Sequence, residues 1–78
     1  MKNSYIVDLK EEAFYKHKDS LCKSAAEMYS LGYPLAVIID ILYNRFKSKH
    51  KKFTKTAVRD LVWISAYEFA MKEKQQGN

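Results

Sequence analysis

The chain has 78 residues, 47% of them hydrophobic and 29% charged, with a formal net charge of +5. That length makes one small domain, residues 1–78, whose core leaves a monomer marginally stable. Two Gly and one Pro are too few turn residues for a sandwich or small barrel, so an all-α domain of long helices is expected. The single cysteine, Cys22, excludes an internal disulfide and a thiolate zinc cluster, and fits a reducing, cytoplasmic setting. The longest purely apolar run is residues 35–39, far short of the roughly 18 that a membrane helix needs. Asp8, Glu11 and Glu12 stand where a signal peptide would carry its apolar core. No membrane partner is expected.

In residues 4–9, Tyr5, Val7 and Leu9 alternate with other side chains, a pattern that suits a short N-terminal strand. The same stretch suits a helix start, because Asp8 followed by Glu11 resembles a capping box. Both readings stay open, and residues 1–8 are taken as an N-terminal arm. The first helix is expected over residues 9–31, where Phe14, His17, Leu21, Ala25 and Met28 recur every three or four positions. His17 sits in that stripe with no second His or carboxylate at metal-ligand spacing, and reads as a packed core-edge residue. Gly32 follows, the usual residue for the left-handed position after a helix end.

Pro34 suits the first turn of a second helix over residues 34–47. Leu35, Ile38, Ile39, Leu42 and Phe46 form its main stripe. Val37, Ile41 and Tyr43 widen the stripe, so this helix is expected to be central and buried between its neighbours. Residues 47–53 have no helical pattern and read as a connector. Thr54 or Thr56 then offers an N-cap for a third helix over residues 55–74. Val58, Leu61, Val62, Ser65, Ala66 and Phe69 make one face of it. Trp63, Tyr67, Ala70 and Met71 make a second, with too much aromatic area to be casually exposed. That second face packs on the first helix or forms a dimer seam, and Trp63 is counted with Leu21, Met28, Ile38, Leu42, Val58 and Leu61 as structural. Residues 75–78 read as a disordered tail.

The charge is unevenly placed. Residues 1–44 hold five Lys and six acids, a net of −1, whereas residues 45–78 hold nine basic residues and three acids, a net of +6. Arg45, Lys47, Lys49, Lys51, Lys52, Lys55 and Arg59 fall within fifteen positions, with His50 among them and no acid. A solvated face normally mixes signs. A block of one sign implies an anionic partner, and nucleic acid is the commonest for a small basic domain.

A helix ending at Gly32, a short apolar helix from Pro34, a connector, and a helix opening on Thr54-Lys55-Thr56-Ala57-Val58-Arg59 together resemble a helix-turn-helix module of the small phage or plasmid regulator kind. The resemblance covers about residues 25–69. It implies a transcriptional regulator or accessory factor in which Val58, Leu61 and Val62 anchor the third helix. Lys55, Thr56 and Arg59 would then stand nearest base edges, with Thr54 beside them, while Lys49, Lys51 and Lys52 neutralise phosphates and Arg45 and Lys47 complete the DNA-binding segment. The chain departs from that family in its connector, which is longer than the usual three or four residues and lacks Gly. The order of elements also resembles ribbon-helix-helix repressors, but Asp8 on the strand is a poor choice against DNA, and the basic residues lie at the far end of the chain.

No enzyme is expected. His17 and Cys22 are five positions apart on one helix and point about 140° apart. No glycine-rich phosphate loop, zinc spacing or nucleophile elbow occurs, and no cofactor or metal is implied. The rival reading is a protein-interaction module or inhibitor. Its basic loop would dock on an acidic patch of a host protein, with Trp63, Tyr67 and Met71 as candidate interface. The small core and the two apolar faces of the third helix make a homodimer the expected assembly.

Overall fold

The computed structural model describes the backbone of residues 2–76 and the side chains of residues 12–74. It holds three helices, α1 (Lys2–Ser30), α2 (Leu35–Phe46) and α3 (Lys55–Gln76), with no strand among the described residues. The all-α expectation therefore stands, and the short strand over residues 4–9 does not form. A lone strand has nothing to pair with, and the Leu-Lys-Glu-Glu-Ala run after it favours helix. The helix consequently passes through the expected arm, and Asp8 lies inside α1 rather than at its N-cap. At the other end α3 runs to Gln76, so the expected tail is half helical, and its last two positions lie outside the described residues.

The helix ends are set by three residues. Gly32 has φ +94°. The Tyr33 N–H donates to the Met28 carbonyl at 3.1 Å and the Gly32 N–H to the Tyr29 carbonyl at 3.0 Å. That pair of bonds is the Schellman closure, which needs the left-handed conformation at the Gly. Pro34 is the N-cap of α2, at φ −62° and ψ 146°, one position before the first helical residue where it was expected. Thr54 takes the cap of α3. Its Oγ1 accepts the Ala57 N–H at 3.1 Å and its carbonyl accepts the Val58 N–H at 2.9 Å. The bond to Oγ1 satisfies one donor that a helix start otherwise leaves open.

Leu21, Ala25, Ile38, Leu42, Phe46, Phe53, Val58 and Val62 form one buried cluster, bordered by Phe14, Met28, Tyr29, Leu35, Ile39, Tyr43 and Leu61. Ser65 is buried beside them and donates from Oγ to the Leu61 carbonyl at 2.8 Å, so its hydroxyl is satisfied. Two expectations fail here. Helix α2 is buried only along Ile38, Leu42 and Phe46, while Val37 is exposed. Each of the other two helices covers part of one side of α2, and none remains for its far side. Trp63 is 57% exposed and so is no core residue. It projects from the side of α3 opposite the core.

Contacts fix the order of the bundle. Phe14 stacks on Phe53 at 5.0 Å and Tyr29 meets Phe69 edge-on at 6.0 Å. Helices α1 and α3 therefore run in the same general direction, with α2 returning along both. The α2–α3 turn lies at one end and the α1–α2 turn at the other. The described chain spans 49 × 28 × 15 Å, long and thin because α1 alone extends about 43 Å.

Candidate nucleic-acid interface

The expected connector is a fixed turn of eight residues, 47–54. Phe53 holds it. Flanked by lysine and threonine in the sequence, its ring is only 2% exposed and packs on Phe46 (5.7 Å) and Phe14 (5.0 Å). His50 holds it a second time. Its ring lies 5.0 Å from Phe14, its Nδ1 accepts the Lys52 N–H at 3.0 Å, and its carbonyl accepts the Phe53 N–H at 3.1 Å. The Lys49 N–H closes on the Phe46 carbonyl at 3.0 Å. The Lys47, Lys49, Lys52 and Phe53 N–H groups are thus bonded within the turn and the end of α2, and the lysine side chains are left at the surface.

Arg45, Lys47, Lys49, Lys51, Lys52, Lys55, Thr56 and Arg59 are all exposed, and the fold gathers them at the α2–α3 end. Three of the lysines lie over aromatic rings. Lys52 Nζ is 5.1 Å from the Phe14 ring centre, and the Nζ atoms of Lys47 and Lys55 sit 5.7 and 5.6 Å from that of Tyr43. At exposed sites such contacts are worth about 0.5–1 kcal/mol. That is enough to bias where an ammonium rests without removing it from solvent.

The fold also divides the block in a way the linear sequence does not. Asp40, from the middle of α2, reaches Lys55 with Oδ1 2.9 Å from Nζ, and Arg59 Nη2 lies 3.6 Å from Asp60 Oδ1. The hydrogen bond to Asp40, and then its charge, raise the Lys55 pKa above its ordinary 10.5. Through Lys55, what this pairing contributes to stability is present below that ordinary value and is lost as pH rises through the raised one. Lys55 therefore stays charged throughout the neutral range. Arg45, Lys47, Lys49, Lys51 and Lys52 have no carboxylate within 4.0 Å among the described residues. The two cations expected to read bases are thus the two that carry acidic neighbours, whereas Lys49, Lys51 and Lys52, expected to meet phosphates, have none among the described residues. Sequence reasoning missed Asp40, fifteen positions from Lys55, and the anchoring roles of Phe53 and His50. A lone aromatic inside a lysine-rich stretch was the only available signal for the anchor.

Away from this end, Trp63, Tyr67 and Met71 are exposed on α3. Trp63 and Tyr67 border a groove of about 210 Å³ with Tyr29, Leu35, Ala66 and Ala70. A second groove of about 220 Å³ between α1 and α3 is lined by Cys22, Lys23, Ala26, Ser65, Glu68, Phe69 and Lys72. Among the described residues no three His, Cys, Asp or Glu side chains cluster as metal ligands, and no helix is long and apolar enough to cross a membrane.

Fold and surface together define a three-helix, all-α domain with a cationic end and an apolar flank. Compared with known protein families, curated proteins and solved structures, the chain matches none.

Proposed function

We propose that this protein binds duplex nucleic acid through the phosphate backbone, using the α2–α3 turn, as an accessory or regulatory DNA-binding factor. The observation that carries the reading is the anchored turn. Phe53 and His50 fix a backbone from which Lys49, Lys51 and Lys52 project with no carboxylate within 4.0 Å among the described residues, with Arg45 and Lys47 beside them. A solvated lysine loop needs no such anchor. Holding cations in place before binding reduces the ordering cost when phosphates arrive.

The same geometry argues for phosphate contact over base readout. Lys55 would have to leave Asp40 before offering its ammonium to a base edge, and Arg59 shares its position with Asp60. An eight-residue connector replaces the short turn that sets the helix angle in helix-turn-helix modules. Thr56 and the start of α3 then contribute mainly a helix N-terminus, whose free N–H groups attract phosphate.

The test is a pair of charge changes. Lys49→Glu/Lys51→Glu/Lys52→Glu is expected to abolish binding to a random-sequence duplex while circular dichroism stays helical. Lys55→Ala/Arg59→Ala is expected to weaken binding only several-fold. The opposite ranking would overturn phosphate contact by the turn. If the wild type ignores duplex altogether, an acidic protein surface becomes the partner to seek.

A further inference from the structure

We infer that the outward face of α3 is a seam for a second copy of this chain, joined antiparallel about a twofold axis at Tyr67. At about 100° per residue, Asp60, Trp63, Ile64, Tyr67, Met71 and Lys74 fall on one side of α3. That side is directly opposite the buried Val58, Val62 and Ser65. Its large apolar members are exposed, Trp63 by 57%, Ile64 by 52%, Tyr67 by 66% and Met71 by 41%. With about 150–250 Å² offered by each large side chain, these four present on the order of 450 Å² per copy. This is over half of the roughly 800 Å² per partner that a stable interface buries. The flanking Asp60, Ala70 and Lys74 supply more.

Charge selects the partner and its direction. Turning one copy end for end about Tyr67 brings Trp63 opposite Met71 of the second copy. Asp60 then faces Lys74, twice over by symmetry, and Tyr67 meets its own equivalent. A parallel pairing would set Asp60 against Asp60 and Lys74 against Lys74. The face is therefore complementary to itself in one orientation only, the condition for an isologous interface. Met71 of the second copy also arrives beside Trp63 and the groove of about 210 Å³ that Trp63 borders with Leu35 and Tyr29.

This seam bears on the nucleic-acid reading and, for its consequence there, rests on it. Lys55, where the basic turn ends, is twelve residues from Tyr67, so the two basic turns stand about 36 Å apart along the seam. One turn of B-DNA is about 34–36 Å, so both turns would meet the same side of a duplex at successive turns.

Sedimentation equilibrium without nucleic acid tests the seam independently of any DNA activity. The wild type is expected at twice 9.2 kDa, and Tyr67→Glu at 9.2 kDa with unchanged helical dichroism. Asp60→Lys and Lys74→Asp should each weaken self-association on the order of tenfold, because each places like charges opposite one another at two symmetric positions. An equimolar mixture of these two variants should recover wild-type association. A monomeric wild type, a dimeric Tyr67→Glu, or a mixture no tighter than its components would overturn the seam. A dimer that ignores duplex would leave the seam standing and defeat only the nucleic-acid reading.

Discussion

Phe53 is the residue on which the proposed surface depends. Its ring closes the core at the α2–α3 end against Phe14 and Phe46, and its backbone N–H ties the turn to His50. Phe53→Ala should cost about 3–5 kcal/mol in urea denaturation, a large part of the roughly 4–12 kcal/mol that a domain of this size holds. Phe53→Leu keeps most of the buried volume and is the safer variant for binding work. It should fold, with the Lys52 and Phe53 amides exchanging hydrogen faster than in the wild type as the turn loosens. Gly32→Ala tests a different device. A Cβ there would meet no atom within 4 Å, so the substitution strains only the backbone, at φ +94°. The expected loss is about 1–2 kcal/mol by the same denaturation. Thr54→Ala removes the Oγ1 cap of α3 and should lower stability by about 1 kcal/mol.

At the level of elements, α1 and α3 were legible in the sequence because three- and four-residue spacing of Leu21, Ala25, Met28, Val58, Val62 and Ala66 needs only one covered face to be satisfied. Pro34, Gly32 and Thr54 marked helix limits because each answers a local need of a helix end. Helix α2 misled for a reason of number. Its apolar girth calls for neighbours all round, and three helices provide them on one side only, leaving Val37 at 41% exposure. The basic segment was legible as a block of charge but not as a site. Its division into paired and free cations depends on Asp40 approaching Lys55 across the α2–α3 contact, a tertiary event that no local pattern encodes. Asp40→Asn separates the two roles. It releases Lys55 from its carboxylate, and by fluorescence anisotropy it should tighten duplex binding modestly, whereas weaker binding would mean that the pair organises the surface.

Across the whole molecule, one end carries charge and the flank of α3 carries apolar area, and the two are separated along α3 rather than mixed. On the proposed reading this separation would let one chain associate with a second copy and present cations outward, with neither surface obstructing the other. Arg45, Lys47, Lys49, Lys51 and Lys52 lie exposed at one extremity, where the proposed partner would supply the counter-charge. Phosphate binding of that kind releases counterions, so its affinity must fall steeply with salt.

The most direct measurement is therefore anisotropy of a labelled random-sequence duplex, titrated with the protein at a series of salt concentrations. If Arg45, Lys47, Lys49, Lys51 and Lys52 all meet phosphate, the plot of log affinity against log salt should fall with a slope approaching about −4.5 per chain bound. Recruiting Lys55 and Arg59 as well would take it to about −6. A slope near the first value, removed by Lys49→Glu/Lys51→Glu/Lys52→Glu, is the predicted result. Absence of binding at low salt, or binding indifferent to salt, would contradict it.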